Sequence, residues 1–406
     1  MNTLPAALSA ENRQTLWALR GFYAALFAVV GVWIPYWPLY LDSHGHSATI
    51  IGLLAALSTS VKLFGPPILG RLADQGSRQQ MIQRASLAAT LASLCFFFAD
   101  HLALLLLGVL LFSLMQNTQL SLVEATTLET VKRLQPTMPS ADYGRIRVWG
   151  SWGFILLAVG LGPLIDLWSL ELLPWIIALF LALSALIARY LPADEAHDTE
   201  RSSTSALFSL PGVRWFYLST FFMQFSHGAY YGFLSLHLAD HGFTRAAIGL
   251  IWALGVIAEV MMLHFSDTLL QRFGTTRLLQ AAMVIAVARW LLYALPPAWP
   301  LLLLGQPLHA FTFAAFHIGA VHRTFEMAPL ASRAQAQGWY GALSFGLGTG
   351  VGLFLCGQLY DRVGAAILFL IMAAGAVLAL LALHRSLQQC RAHPLSPQFA
   401  SQESRQ

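Results

Sequence analysis

Apolar runs of about twenty residues recur along the whole chain, separated by short polar stretches, and each is long enough to cross roughly 30 Å of hydrocarbon as a helix. A membrane β-barrel would instead show short alternating segments. The pattern predicts twelve spans, at residues 15–41, 48–70, 80–99, 102–130, 143–166, 170–190, 213–239, 245–270, 276–296, 299–325, 334–360 and 363–385. The fold class expected is therefore an all-α membrane protein. One longer polar stretch, "PADEAHDTERSSTSALFS", interrupts the series near its middle and reads as a linker between two six-helix halves. The expected organisation is an N-terminal bundle at 1–191, a cytoplasmic linker at 192–209, a C-terminal bundle at 210–387 and a cytoplasmic tail at 388–406.

An internal repeat supports two halves. "HGHSATIIGLLAALSTSVKLFG" aligns with "DHGFTRAAIGLIWALGVIAEVM", so that Ile51-Gly52-Leu53 falls on Ile248-Gly249-Leu250, and "GPLID" ending at Asp166 echoes "GQLYD" ending at Asp361. Parallel repeats of this kind build one large class of transporters, with the substrate held at mid-depth between the halves. In the alignment Lys62 falls opposite Glu259.

Composition and charge sharpen this reading. Of 406 residues 57% are hydrophobic and only 10% charged, and the mean hydropathy is +0.62, which fits an integral membrane protein. The net charge of +4 is no nucleic-acid signature. Lys and Arg concentrate in alternate loops (Arg71, Arg78 and Arg84; Lys132 and Arg133; Arg201; Arg272 and Arg277; Arg323 and Arg333; Arg385 and Arg391), which places both termini in the cytoplasm. The first span is too long for the apolar core of a signal peptide, and no cleavage pattern follows it. Cys95, Cys356 and Cys390 form neither a disulfide framework nor a metal-ligand spacing. No HExxH, GxxxxGK[ST] or Ser/His/Asp arrangement at usable spacing is present, so an enzyme is not expected.

The ionisable residues inside spans carry the candidate chemistry, because a charge in a bilayer costs several kcal/mol unless it faces protein or a wet cavity. Glu124 lies in the run "VEATTLETVKRL", Arg147 opens the next span, and Lys62, Glu259, Arg289, His227, His309 and His317 lie well inside spans. A proton-coupled carrier needs a carboxylate or imidazole whose proton affinity changes with conformation, and a cation near it. Glu124, Glu259 and His309 are candidate carriers, and Lys62, Arg147 and Arg289 candidate partners. The alternatives stand beside these roles: Glu259 and Arg289 as an ion pair that only fixes packing, Lys62 tied to a carbonyl, and each histidine satisfied in the core. Tyr23, Trp33, Tyr36, Trp37, Tyr230, Tyr231, Trp252 and Trp339 offer stacking faces for a ring-bearing ligand; a membrane-interface belt explains Trp33, Tyr36 and Trp37 equally well.

After the second span stands "GRLADQGSR", which resembles the loop signature of the major facilitator superfamily; in that resemblance Gly70, Asp74 and Arg78 form a conformational latch. The runs "DYGRIRVWGS", "HGAYYGF", "WALGVIAEV" and "VARW" extend the likeness over nearly the whole chain, to the lactose-permease-like branch and within it to the 3-phenylpropionate permease family. The resemblance implies the major facilitator fold. It assigns Glu124 and Arg147 to the carboxylate and guanidinium pair of a substrate site, and Glu259, Arg289 and His309 to proton coupling. The sequence departs from lactose permease at Thr312, where a proton-binding glutamate is expected, and at Gln306, where a lysine is expected; Ser226 and "GALSFGLGTG" are neutral where charges are expected. Within the resemblance the carrier role passes to Glu259, with Glu124 second. Lys62 has a basic counterpart in the phenylpropionate permeases and suits a carboxylate cargo.

The function expected is a proton-coupled symporter importing a small aromatic carboxylate by alternating access, with a symporter of neutral glycosides or nucleosides as the alternative. Its substrate-binding residues are Lys62, Glu124, Arg147, Tyr23, Tyr230 and Trp252. No cofactor is expected beyond the proton gradient. The partners are the small-molecule substrate and the lipid bilayer of the bacterial inner membrane, with the chain functional as a monomer.

Overall fold

The computed structural model describes residues 10–64, 77–134, 139–193, 204–329 and 332–392. Among these there are helices and turns and no strand, as a spanning chain requires when no solvent can satisfy open backbone groups. Among the described residues nine helices are long and apolar enough to cross a membrane, from Asn12–Ser43 to the 58-residue stretch Gln335–Ala392. That last stretch is broken at Gly364, whose φ of +73° is a left-handed conformation that glycine adopts without steric cost, so it carries two crossings. The shorter apolar helix Ala48–Leu63 and the pair Val213–Phe225 and Gly228–Asp240 supply two more, which makes twelve. Their outward faces are apolar, with Leu156 and Leu91 each 67% exposed, the inverse of a water-soluble surface.

Three expected spans differ in detail. The span read as 213–239 is two helices, interrupted at Ser226 and His227, where Ser226 Oγ donates to Met223 O at 2.6 Å and ends the first helix. The spans read as 299–325 and 334–360 each contain a π-helical stretch, Ala310–Ala315 and Gly341–Gly348. Periodicity does not reveal such widened turns, which are frequent at functional sites.

By compactness the chain divides into two units. The first comprises Met1–His46, Phe64–Asp198 and Leu238–Ala253. Its core gathers Leu19, Phe22, Tyr23, Leu26, Leu122, Val123 and Ile146. Trp37, 3% exposed, stacks on Trp33 with ring centroids 4.4 Å apart, and Trp33 lies 4.7 Å from Phe112. Trp37 is thus buried in this unit, with the partly exposed Trp33 packed against it. Tyr36 turns another way, its hydroxyl donating to Ala158 O and, at 3.3 Å, to Arg245 O.

The second unit comprises Ser47–Leu63, Thr199–His237 and Leu254–Gln406. Trp339, a candidate stacking face, is packed edge-on against Phe208 at 5.3 Å.

The sequence repeat recurs as a packing motif, once in each unit. In the first, Gly162 lies where a Cβ would come within 2.6 Å of Arg245 O, and Gly249 meets Ala158 O. In the second, Gly357 and Gly52 face each other so closely that a Cβ on Gly52 would come within 2.6 Å of the Gly357 Cα. The segments that align with one another in sequence thus make equivalent backbone-to-backbone crossings, which small residues permit. The first crossing has an added lock, since both carboxylate oxygens of Asp166 accept from backbone amides, those of Arg245 and Ala246, at 2.9 Å each. That acid caps the start of the helix Arg245–His264, where the helix dipole favours an anion.

Gly52→Leu is expected to cost about 1–3 kcal/mol by overpacking the crossing, read as a melting temperature in detergent lowered by several degrees. Gly338→Ala, with open space around it, leaves the melting temperature unchanged or raises it.

Candidate functional site

The ionic side chains within the spans fall into two groups. In the first unit, Glu124 on the helix Leu102–Leu134 and Arg147 on the helix Pro139–Leu167 approach to 4.0 Å. Both side chains are partly accessible, at 39% and 30%. The Arg147 guanidinium also lies 4.0 Å from the ring of Phe27 and 5.4 Å from that of Tyr23. An arginine held over two rings spends its face on stacking and keeps its edge for anions, a geometry lysine cannot supply. Phe27 is a member that sequence reasoning missed. Its signal was its place one helical turn after Tyr23. Trp252 is buried in the same unit.

In the second unit Arg289 is fully buried and almost fully engaged. Nε donates to Gly305 O at 3.0 Å, and Nη1 to His309 Nδ1 and Thr312 Oγ1, each at 3.0 Å. The guanidinium carbon lies 4.2 Å from the ring of Tyr230, whose hydroxyl donates to Gln306 Oε1 at 3.0 Å. Arginine has only donors to offer. His309 Nδ1 must therefore be the acceptor, the ring proton sits on Nε2, and Nε2–H donates to Glu259 Oε1 at 2.5 Å. The result is a directed line of hydrogen bonds, guanidinium to neutral imidazole to carboxylate, in which each charge is compensated away from water. Thr312 and Gln306 replace charges expected from the family resemblance, and both are absorbed into this network as acceptors.

An aromatic path leads from His309 toward Lys62 within the same unit. Phe313 stacks on His309 with centroids 5.5 Å apart and 25° between planes. Phe345 stands edge-on to Phe313 at 6.0 Å, and Lys62 Nζ lies 5.9 Å from the Phe345 ring. Lys62 belongs to the 3-10 turn Val61–Leu63 that ends the helix Ala48–Ser60. Phe313 and Phe345 come from the two π-helical stretches, and neither was a sequence candidate. Phe313 follows His309 by one turn, which is a usable signal; Phe345 comes from a distant span and offers none. His317 is bonded to Tyr340, with 3.0 Å between Nδ1 and the hydroxyl.

Of the latch residues, Gly70 and Asp74 lie outside the described residues. Arg78 is buried, and its Nη1 donates to Glu129 Oε2 at 2.5 Å in the first unit. Among the described residues no group of three or more His, Cys, Asp or Glu is arranged to hold a metal.

Comparison with known proteins accords with this architecture. The probable 3-phenylpropionic acid transporter of Escherichia coli (strain K12) is 26% identical over 91% of this chain and 97% of that protein. The maltose permease of Geobacillus stearothermophilus is 28% identical over 89% of this chain and 91% of its own. Among solved structures, the nucleoside transporter NupG superposes with a TM-score of 0.76 at 20% identity, covering 93% of this chain and 99% of that one. The profile described as "MFS_1 like family" matches residues 16–371. The protein is a multi-pass membrane transporter with the major facilitator fold and no enzyme, and it belongs to the MFS_1 like family.

Proposed function

We propose that the protein is a proton-coupled symporter that imports a small aromatic carboxylate, similar to 3-phenylpropionate, across a bacterial inner membrane by alternating access. The observation that carries this reading is the succession Lys62, Phe345, Phe313 and His309 inside one unit, a cation at one end of an aromatic path and the proton-bearing line at the other. Within this unit Lys62 holds the carboxylate, while Phe345 and Phe313 join Tyr230 as the aromatic surroundings of the ring. The similarity to a probable 3-phenylpropionic acid transporter over nearly the full length supports the same class of cargo.

Coupling follows from the charge balance around Arg289. Proton uptake on Glu259 removes the anion that His309 bridges to the guanidinium, leaving a buried cation without its compensating charge. A carboxylate entering the same unit restores the balance. Proton and acid therefore bind together better than either binds alone, which is what a symporter requires. Arg78, bonded to Glu129, belongs to a cytoplasmic latch, both termini lie in the cytoplasm, and a single chain is the working unit. The halves 1–191 and 210–387, joined by 192–209, are the bodies that alternate.

The second reading is a symporter of neutral glycosides or nucleosides. It is favoured by the partly accessible Glu124 and Arg147 pair, which suits hydroxyl groups, and by the maltose permease among the relatives.

Uptake of labelled 3-phenylpropionate into vesicles across a pH step, inside alkaline, is expected to rise above the passive level and to vanish with a protonophore. Accumulation that ignores the gradient would overturn coupling. Lys62→Met is expected to raise the KM for the acid at least tenfold, a loss of about 1.4 kcal/mol; an unchanged KM together with saturable sugar uptake would favour the second reading. Glu259→Gln, which mimics the protonated acid, should keep exchange of internal for external substrate and lose gradient-driven accumulation.

A further inference from the structure

The interruption between the helices Val213–Phe225 and Gly228–Asp240 carries a buried titratable group that the coupling scheme above does not use. His227 is 0% exposed, and its Nδ1 lies 2.9 Å from Met223 O. A carbonyl only accepts, so Nδ1 bears the ring proton and Nε2 is a bare acceptor. Nε2 is buried and has no hydrogen-bond partner among the described residues. A lone acceptor of this kind costs about 1–3 kcal/mol. Two neighbouring donors are engaged elsewhere, Trp290 Nε1 with Ser226 Oγ at 3.2 Å and Arg289 Nη1 with His309 and Thr312. One turn earlier on the same element, the Gln224 side chain is also 0% exposed, and neither its oxygen nor its nitrogen finds a partner among the described residues.

The ring sits against the proton-bearing line. It stands edge-on to Trp290 at 5.0 Å, 6.4 Å from the ring of His309 and 5.7 Å from that of Tyr231. The groups facing it are Tyr230 and Tyr231 from its own following helix, Arg289 from the helix Ser266–Tyr293, His309 from the helix Trp299–His309 and, through His309, Glu259. The helix Thr349–Ala392 contributes the neutral Gly352, whose backbone packs on Gly228. Arg289 bonds His309 on one side and Glu259 bonds it on the other, so His227 lies beside the middle member of that line. A broken helix at a buried polar cluster is where transporters place their ion sites.

We propose that His227 Nε2 is a second proton-accepting station of this unit, exchanging its proton with the line formed by Glu259, His309 and Arg289. The proposal rests on the proton-coupled reading, adding a residue to it. In the transfer a proton taken up on Glu259 leaves its carboxyl oxygen as that O–H bond breaks, and binds the His227 Nε2 lone pair as an N–H bond forms, so that a carboxylate and an imidazolium result. A residue that only caps the helix would need the Nδ1 bond alone.

His227→Asn separates the two, because the asparagine amide keeps a donor for Met223 O and deletes Nε2; His227→Gln is the second variant, should the first fail to fold. In purified protein without substrate, tryptophan fluorescence is followed from about pH 8 down to about pH 4, through and below the range in which a free imidazole titrates. Acidification is expected to quench the wild type through Trp290, and the quench should shrink in both variants. Superimposable titrations would overturn the proposal. In vesicles with labelled 3-phenylpropionate, His227→Asn is expected to keep exchange and to lose roughly tenfold or more in gradient-driven uptake, the scale of a lost proton-transfer group. Equal loss of both rates, or of neither, would also overturn it. A wild type indifferent to the gradient would sink the coupling reading instead, and the substrate-free titration would still decide whether His227 takes a proton.

Discussion

A guanidinium with no water to solvate it must find its partners inside the protein, and Arg289 finds most of them in Gly305 O, Thr312 Oγ1, His309 Nδ1 and the face of Tyr230. Much of the second unit's polar interior is arranged by that need. Because the guanidinium can only donate, it fixes the tautomer of His309, and the tautomer in turn makes Glu259 the acceptor. Removing one member from such a line leaves a buried charge uncompensated, at about 3–5 kcal/mol. The same strictness makes the line responsive, since any change in the charge of Glu259 is felt at the guanidinium.

The first unit solves its ionic problem differently. Glu124 and Arg147 stay partly accessible and stand 4.0 Å apart, so the arginine leans on Phe27 and Tyr23 for much of its stabilisation. That pair is loosely held, whereas the line of the second unit is joined by a hydrogen bond at each step. Both units share a packing device, the close backbone crossings at Gly162 with Arg245 and at Gly52 with Gly357. Helices gain no hydrophobic advantage from meeting one another in lipid, so contact of this closeness relies on dispersion between backbones. The fold carries many cargoes, and the relatives reflect that, with an aromatic acid, a sugar and a nucleoside among their names.

Hydrophobic run length alone determined the class of this protein, because a bilayer accepts only helices and closed barrels and the runs are helix-length. The repeat of "IGL" and of "GPLID" with "GQLYD" was legible too, and it marked the residues that make equivalent crossings in the two units. Arg289, His309, Glu259, Glu124 and Arg147 could be picked out as ionic groups that lipid would reject. What only the tertiary structure decided was their bonding. Thr312 and Gln306 looked like losses and became acceptors, Trp37 proved to be buried against Trp33, and Phe345 joined Lys62 from a span far away in sequence. The helix break at His227 and the two π-helical stretches were equally invisible, for one reason: the pattern of a span records which residues tolerate lipid, while a turn that widens or breaks answers to partners on other helices.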